Sequence, residues 1–389
     1  MTKLLAILGI IIFIGVTYLF SKDKKNINWK QIGVLLATAL VMTFVMIKTP
    51  LYMVIQWVGN FFSFLIEQST AGISFVFGGL TENYVFFLNG LLPIVFISAF
   101  MGILFHFGIL QKLIEFISKW IARLFKIDGI VVTNAITNMF IGQSESLFPV
   151  KSYLPNVKDS VVFATLVLGM STVSVSVFGL YQSYSASIEY ILMSVPLNIV
   201  CALLLTQIFM PTKYDQSQIV SVETDKGLNV VDTMMNYAFS GFRSVVGIVV
   251  SLIAFLSLVQ LINSTLGLFN PELSLQSMLG VVYTPISALM GIPLNEVPMV
   301  AELMGTKIVT NEAVAYSQES FKLLSENTRN IATIGMTSFA GFGSVGILLG
   351  AYGVVAPSKS KVVVKLGFQA LLIATLVSFL SAAIVSLFL

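Results

Sequence analysis

Eight long apolar runs limit what this chain can become more than any other feature: Leu4–Phe20, Ile32–Met46, Asn83–Phe107, Val161–Tyr181, Tyr190–Met210, Val245–Leu268, Ile331–Val355 and Val362–Leu389. A hydrocarbon slab ~30 Å thick is crossed by about twenty residues of helix. Inside it every peptide N–H and C=O must find a partner within the protein, and helices meet that demand segment by segment. The chain therefore reads as an all-α polytopic membrane protein. Composition agrees, since 57% of its 389 residues are hydrophobic and 10% are charged, whereas soluble domains carry ~25% charged residues. No polar segment is long enough to form a separate soluble domain.

The net charge of +3 is too small to point to nucleic acid, and the basic residues read as topology signals. The segments "KDKKNINWK", "KWIARLFK", "VKSYLPNVK" and "PSKSKVVVK" hold most of the 21 Lys and Arg residues. With eight spans and the N-terminus outside, all four fall on one side, which should be the cytoplasm. The longest polar connection, Pro211 to Asp232, lands there too. The cluster Lys22, Lys24 and Lys25 follows the first apolar run instead of preceding it, so that run reads as an uncleaved span and not as a secretory leader. Between the second and third runs, "LYMVIQWVGNFFSFLIEQ" is apolar but broken by Gln56, Gly59 and Asn60. After the third, Leu113, Ile114, Ile117, Trp120, Ile121 and Leu124 recur at helical spacing opposite Lys112, Lys119, Arg123 and Lys126, as in a helix lying in the membrane interface. A single cysteine, Cys201, and a single histidine, His106, leave no disulfide framework and no multi-histidine metal site. His106 reads as a packed or interfacial side chain.

Two stretches do not read as simple spans. Val131–Tyr153, which shares most of its length with "TNMFIGQSESLFPVKSYLP" (Thr137–Pro155), sets Asn138, Gln143, Ser144, Glu145 and Ser146 into apolar sequence. Leu273–Ala315 interrupts its apolar runs with Pro285 and Pro293 and carries Glu296 and Glu302 within them. Both start and end on the same side, so both read as re-entrant hairpins; non-helical backbone at membrane depth survives only where protein or a watery cavity covers it. Each precedes a span with a polar centre: Ser171, Thr172, Ser174 and Ser176 in one, Thr337, Ser338, Gly341, Gly343 and Ser344 in the other. Those spans share an opening (Ala164-Thr165-Leu166, Ala332-Thr333-Ile334) and a Gly-Met pair (Gly169-Met170, Gly335-Met336). Hairpin followed by interrupted span, twice over, suggests an internal repeat, and duplicated broken segments point to a transporter's midplane site. An ionised carboxylate at the bilayer centre costs ~2.5–3.5 kcal/mol on insertion scales. Glu145 and Glu296 then line a polar cavity, the plainer alternative being that both face water on a loop. Two acids with no paired base disfavour an anionic guest, and Gln143 offers a heterocycle edge both donors and an acceptor. The residues read as a carrier for a neutral, hydrogen-bonding solute, coupled to a cation, and not as an enzyme.

"NMFIGQSES" (Asn138–Ser146), "PLNE" (Pro293–Glu296) and "TNEAVAYSQ" (Thr310–Gln318) resemble, in that order, signature segments of the concentrative nucleoside transporter family. The layout of eight transmembrane helices plus two re-entrant helical hairpins resembles its bacterial members over essentially the whole chain. The resemblance implies a sodium- or proton-driven nucleoside importer of the inner (plasma) membrane, a homotrimer working by an elevator movement. It implies scaffold helices in residues 1–110, a first transport half in 111–210, a cytoplasmic loop and scaffold helix in 211–270, and a second transport half in 271–389. It sets the base against Gln143, Ser144 and Glu145, with Val177 packing on it, and the ribose against Glu296, Phe339 and Ser344. Sodium would be held by Asn138, Ile141, Thr172 and Val173, the amide at 138 favouring sodium over a proton. The pair Gln143-Ser144 resembles pyrimidine-preferring members, implying uridine and cytidine. In one respect the chain departs from the family: the usual Phe-Ala-Asn run is here Phe339-Ala340-Gly341. Glycine offers a sugar hydroxyl no side chain, so water or Ser344 takes that place or the sugar is held differently, and a purine preference stays open.

Two rivals have named requirements. An elevator carrier for a dicarboxylate or amino acid would want arginine or several hairpin serines at the site, yet Arg123, Arg243 and Arg329 fall near expected span ends. An intramembrane hydrolase using Ser144 or Ser146 with Glu145 would need a His or Lys base within reach, and His106 lies near the cytoplasmic end of another span.

Overall fold

The computed structural model describes residues 1–81, 83, 85–212, 227–270 and 273–389. No strand occurs among them. The polar connection expected between Pro211 and Asp232 lies outside the described residues from 213 to 226.

Helices α1 (Thr2–Leu19) and α2 (Trp29–Lys48) form on the first two apolar runs. The third run is a π-helical turn, Phe86–Leu91, leading into α4 (Pro93–His106). Between them lies a departure from expectation, because "LYMVIQWVGNFFSFLIEQ" is not broken: α3 (Leu51–Phe77) is one continuous helix. Gly59 sits inside it because Ile188 would lie 3.0 Å from a Cβ there. Although α3 is long and apolar enough to cross a membrane, it is the least apolar of the eight helices that qualify among the described residues. Its middle also packs on the wrong place for a span. Ser63 exchanges hydrogen bonds with Gln182 at 3.1–3.2 Å, at the end of the short helix α8 (Phe178–Ser183), beside the start of α9 (Ile188–Phe209). A helix whose centre rests on a turn at the bundle's end lies across that end.

The amphipathic α5 (Ile109–Phe125) packs Ile114 inward and leaves Leu113, Phe116, Trp120 and Leu124 exposed. One exposed ion pair, Lys119–Glu115 at 3.5 Å, decorates its other face; such pairs contribute under ~1 kcal/mol. The long α10 (Val230–Gly267) starts well before the expected span, at an Asn229 side chain that accepts from Asp232 N. It pairs with α4 through small residues: a Cβ on Gly102 would meet Tyr237 at 2.7 Å, and one on Gly241 would meet Ser98 Oγ at 2.5 Å. Close backbone approach of this kind is how membrane helices associate.

The repeat is visible in the helix order. Helix α6 (Gly129–Ile141) and the return Glu145–Val150 make the first hairpin, followed by α7 (Asp159–Ser171), a break at Thr172–Ser174, and α8. After α10 comes α11 (Leu275–Ala288). Then α12 (Val297–Val309) turns at Thr310-Asn311 into α13 (Glu312–Ser317) and α14 (Glu319–Leu323). Next stand α15 (Glu326–Met336), a break, and α16 (Phe342–Val355). The expected span 331–355 is thus two half-helices. Both first hairpin arms have 13 residues. The final α17 (Ser360–Ser386) forms the buried centre with α7 and α9, whereas α10 is largely exposed.

One end of the bundle gathers the basic segments. Lys22 N donates to Phe209 O, Gln31 reaches the carbonyls of Phe125 and Lys126, and Lys359 Nζ donates to Val157 O. At the opposite end Lys3 reaches Leu387 O.

Candidate functional site

Two helix ends turn into polar tips where the hairpins reverse. At the first, α6 stops because Gly142 adopts φ +100°, a conformation L side chains rarely take. Gln143 and Ser144 follow, and Glu145 opens the next helical turn. At the second, the Asn311 side chain accepts from Val314 N, capping α13 and making Glu312 its first residue. Each tip so delivers a carboxylate to a helical N-terminus, where the peptide dipoles favour negative charge.

Both tips line one cavity of about 1160 Å³, together with Val177, Phe339, Gly341 and Ser344, and with Ser98, Tyr237 and Ser240 from the α4–α10 pair. Glu145 Oε2 accepts from Ser144 Oγ at 2.6 Å and Oε1 from Ser240 Oγ at 2.9 Å. Tyr181 Oη donates to Glu312 Oε1 at 2.9 Å. Gln143 Nε2 donates to Ser344 Oγ at 3.2 Å, and Gln143 Oε1 is buried without a partner. An acceptor held in place and left open is what a ligand N–H or O–H requires. Gly341 lets the second hairpin close on this wall, since a Cβ there would stand 3.2 Å from Lys307 O.

Of the substrate residues expected from sequence, Gln143, Ser144, Glu145, Val177, Phe339 and Ser344 come together around this cavity. Glu296 does not. It sits in the turn between α11 and α12, accepting from Ser325 N at 2.6 Å, from Ser325 Oγ at 2.8 Å and from Thr328 Oγ1. This turn belongs to the bundle end near α1, where Gly291 packs on Ala6 and Ser386. The carboxylate that does face the cavity from the second half is Glu312, inside the quoted "TNEAVAYSQ". Its position was legible: it follows a polar pair after an apolar helix, as Glu145 follows Gln143-Ser144. Glu296→Ala, by leaving buried donors unsatisfied, is expected to cost about 1–3 kcal/mol of stability. A lowered thermal midpoint with ligand affinity within about twofold of wild type is the expected result.

Beneath the cavity the C-termini of α6 and α7 converge. Asn138 Nδ2 donates to Gly169 O at 3.0 Å and to Thr172 Oγ1 at 2.6 Å, while its Oδ1 is buried with no partner. Thr137 Oγ1 and Ser171 Oγ, beside it in sequence and across the break, are orphaned likewise. Ile141 ends α6, and Val173 lies fully buried in the break. Unpaired oxygens at two helix C-termini are a donor set that fits a hard cation such as sodium. The two breaks touch: Phe339 N donates to Thr172 O at 3.4 Å, joining this pocket to the cavity wall.

Arg243 is not at a span end as expected, because α10 begins at Val230; it lines the cavity on the α10 side. No ion pair to either cavity carboxylate is seen among the described residues. His106 Nδ1 lies 2.9 Å from Thr233 Oγ1, a packing contact between α4 and α10.

Residues 190–386 match the family model described as Na+ dependent nucleoside transporter C-terminus, residues 8–80 its N-terminal counterpart, and residues 87–188 a model described as nucleoside recognition. The purine nucleoside transport protein NupG of Bacillus subtilis is 32% identical, with 99% of each chain covered. The nucleoside permease NupC of Helicobacter pylori is 27% identical over 100% of this chain and 98% of its own. Among solved structures, CNTnw in an inward-facing substrate-bound state superposes with a TM-score of 0.94 at 28% identity, covering 100% of this chain and 98% of that one.

Proposed function

The chain belongs to the family of Na+-dependent, concentrative nucleoside transporters, and on that premise we propose that it imports uridine and cytidine together with sodium. The observation that carries this reading is the meeting of Glu145 and Glu312, one from each repeat, at the tips of two hairpins around one cavity. The base would lie against Gln143, Ser144 and Glu145 with Val177 on its face. Its N–H edge would use the open Gln143 Oε1. Glu312 would take the ribose hydroxyls, Phe339 would pack on the sugar, and Ser344, held by Gln143, would stand in for the side chain that Gly341 lacks.

Asn138, Ile141, Thr172 and Val173 would hold sodium, which supplies a positive charge between hairpin and broken helix. With that charge present, the tip carrying Gln143 and the break bonded to Phe339 are fixed relative to each other. One positive charge moving down 100 mV releases about 2.3 kcal/mol, enough to drive accumulation.

The hairpins and broken helices would carry the solute past a wall formed by α4 and α10. Small residues on that wall, Ser98, Ser240, Gly241 and Ser244, suit sliding. Met235, Phe239, Phe242, Val246, Val250 and Ile253, exposed along α10, suit contact with further copies in a homotrimer. The basic end would face the cytoplasm of a plasma membrane and the N-terminus the outside.

Purified protein in liposomes should accumulate labelled uridine under an inward sodium gradient and not under a proton gradient alone. Uptake that follows protons and ignores sodium would overturn the ion assignment. Likeness to a protein named for purine nucleosides favours a second reading, a purine carrier. Cytidine should compete with labelled uridine at least about tenfold better than adenosine or inosine, a margin of ~1.4 kcal/mol; equal or better competition by the purines selects the second reading.

A further inference from the structure

Lys307 is the only lysine or arginine buried among the described residues, 1% exposed in the last turn of α12. No carboxylate lies within ion-pair distance of it among those residues. Its ammonium donates instead to Gly335 O at 2.9 Å, Ser338 Oγ at 2.5 Å and Ser378 Oγ at 3.1 Å. All three donors of the group are used.

The same pattern occurs in the first repeat with a different donor. Asn138, in the last turn of α6, donates to Gly169 O and Thr172 Oγ1. Gly169 and Gly335 open the matching Gly-Met pairs, and Thr172 and Ser338 each follow three residues later. In both repeats the donor stands where the C-terminus of a hairpin arm meets the C-terminus of a half-helix, α6 with α7 and α12 with α15. Partial negative charge collects at both junctions. The first junction supplies an amide with an open oxygen; the second supplies the side-chain nitrogen of Lys307, set among three oxygens.

We propose that Lys307 is a tethered cation occupying, in the second repeat, the place that the coupling ion takes in the first, so that each protomer has one exchangeable ion site per nucleoside. The proposal rests on the reading of Asn138 as part of an ion site. Lys307 is a positioning residue: it ties α12 to α15 and α17, and its own carbonyl packs against Gly341 in the cavity wall five residues before Glu312. Removing the charge leaves Gly335 O, Ser338 Oγ and Ser378 Oγ facing a space that a small free cation fits.

The test compares wild type with Lys307→Ala for uridine binding and uptake at varied sodium, with and without methylammonium. Wild type should show a sodium Hill slope of about one and move one positive charge per uridine. Lys307→Ala should bind uridine at least about tenfold more weakly, and either methylammonium should restore binding or the sodium slope should rise toward two. Two charges per uridine in wild type would overturn the proposal. So would a folded variant indifferent to methylammonium with an unchanged slope. Should the alanine variant fail to fold, the near-isosteric Lys307→Gln decides: wild-type affinity at an unchanged slope overturns the proposal, and weakened binding with a steeper slope supports it. Wild-type uptake that ignores sodium would count against the Asn138 reading alone, because methylammonium rescue of uridine binding is read without sodium.

Discussion

Glu312→Gln should weaken uridine binding by about a hundredfold while the protein keeps its fold. The substitution preserves shape and removes the charge from a side chain that faces the cavity with one oxygen already held by Tyr181. Hydrogen bonds to a charged acceptor contribute roughly 1.5–3 kcal/mol each. Bonds to a neutral amide contribute roughly 0.5–1.5 kcal/mol each, so two sugar hydroxyls lose about 2–3 kcal/mol, on the order of a hundredfold. Equilibrium binding of labelled uridine measures the effect, and elution at the wild-type volume controls for damage. The comparison with Glu296 sharpens it. Glu296 is the more buried, and its oxygens are taken by Ser325 and Thr328 at the bundle end. A carboxylate that already accepts from a backbone N–H and two hydroxyls has little left for a ligand. If Glu296 variants lost binding selectively while Glu312→Gln kept wild-type affinity, the second half of the site would be misassigned.

The second large effect concerns coupling. Asn138→Ala removes the buried Oδ1 and the amide that joins Gly169 to Thr172. Sodium-driven accumulation should fall at least about thirtyfold, the equivalent of ~2 kcal/mol in ion binding. Downhill uridine exchange at high substrate should survive in part, because Asn138 does not line the cavity. A variant that still concentrates uridine with the wild-type sodium dependence would remove the ion from this junction.

Much of this architecture could be read in the residues because lipid leaves a backbone few options. Apolar runs became helices, and the two stretches too polar or too broken to cross alone became hairpins whose tips meet protein. The first tip was legible to the residue, since Gln143, Ser144 and Glu145 stand together against apolar sequence on both sides. The second misled for a physical reason. Pro293 and Glu296 look like an interruption at depth, but a carboxylate is silenced when a chain segment folds back to it. Ser325 and Thr328 lie 29 and 32 residues on, beyond the reach of local pattern. In α3, Gln56, Gly59 and Asn60 suggested a break, yet a glycine costs a helix only ~1 kcal/mol, and packing of Ile188 against Gly59 offsets that. Arg243 was misplaced because the polar start of α10 disguised how far the helix extends. Lys307 went unnoticed among apolar neighbours; only the folded chain shows that its three partners lie in α15, in the break that follows it and in α17.

The most direct measurement is a structure of the protein with uridine and sodium bound. The account predicts the base edge within hydrogen-bond reach of Gln143 and Glu145, with the ribose hydroxyls on Glu312 and the ion beside Asn138. Uridine bound outside the space between the two hairpin tips, or touching neither carboxylate, would contradict it.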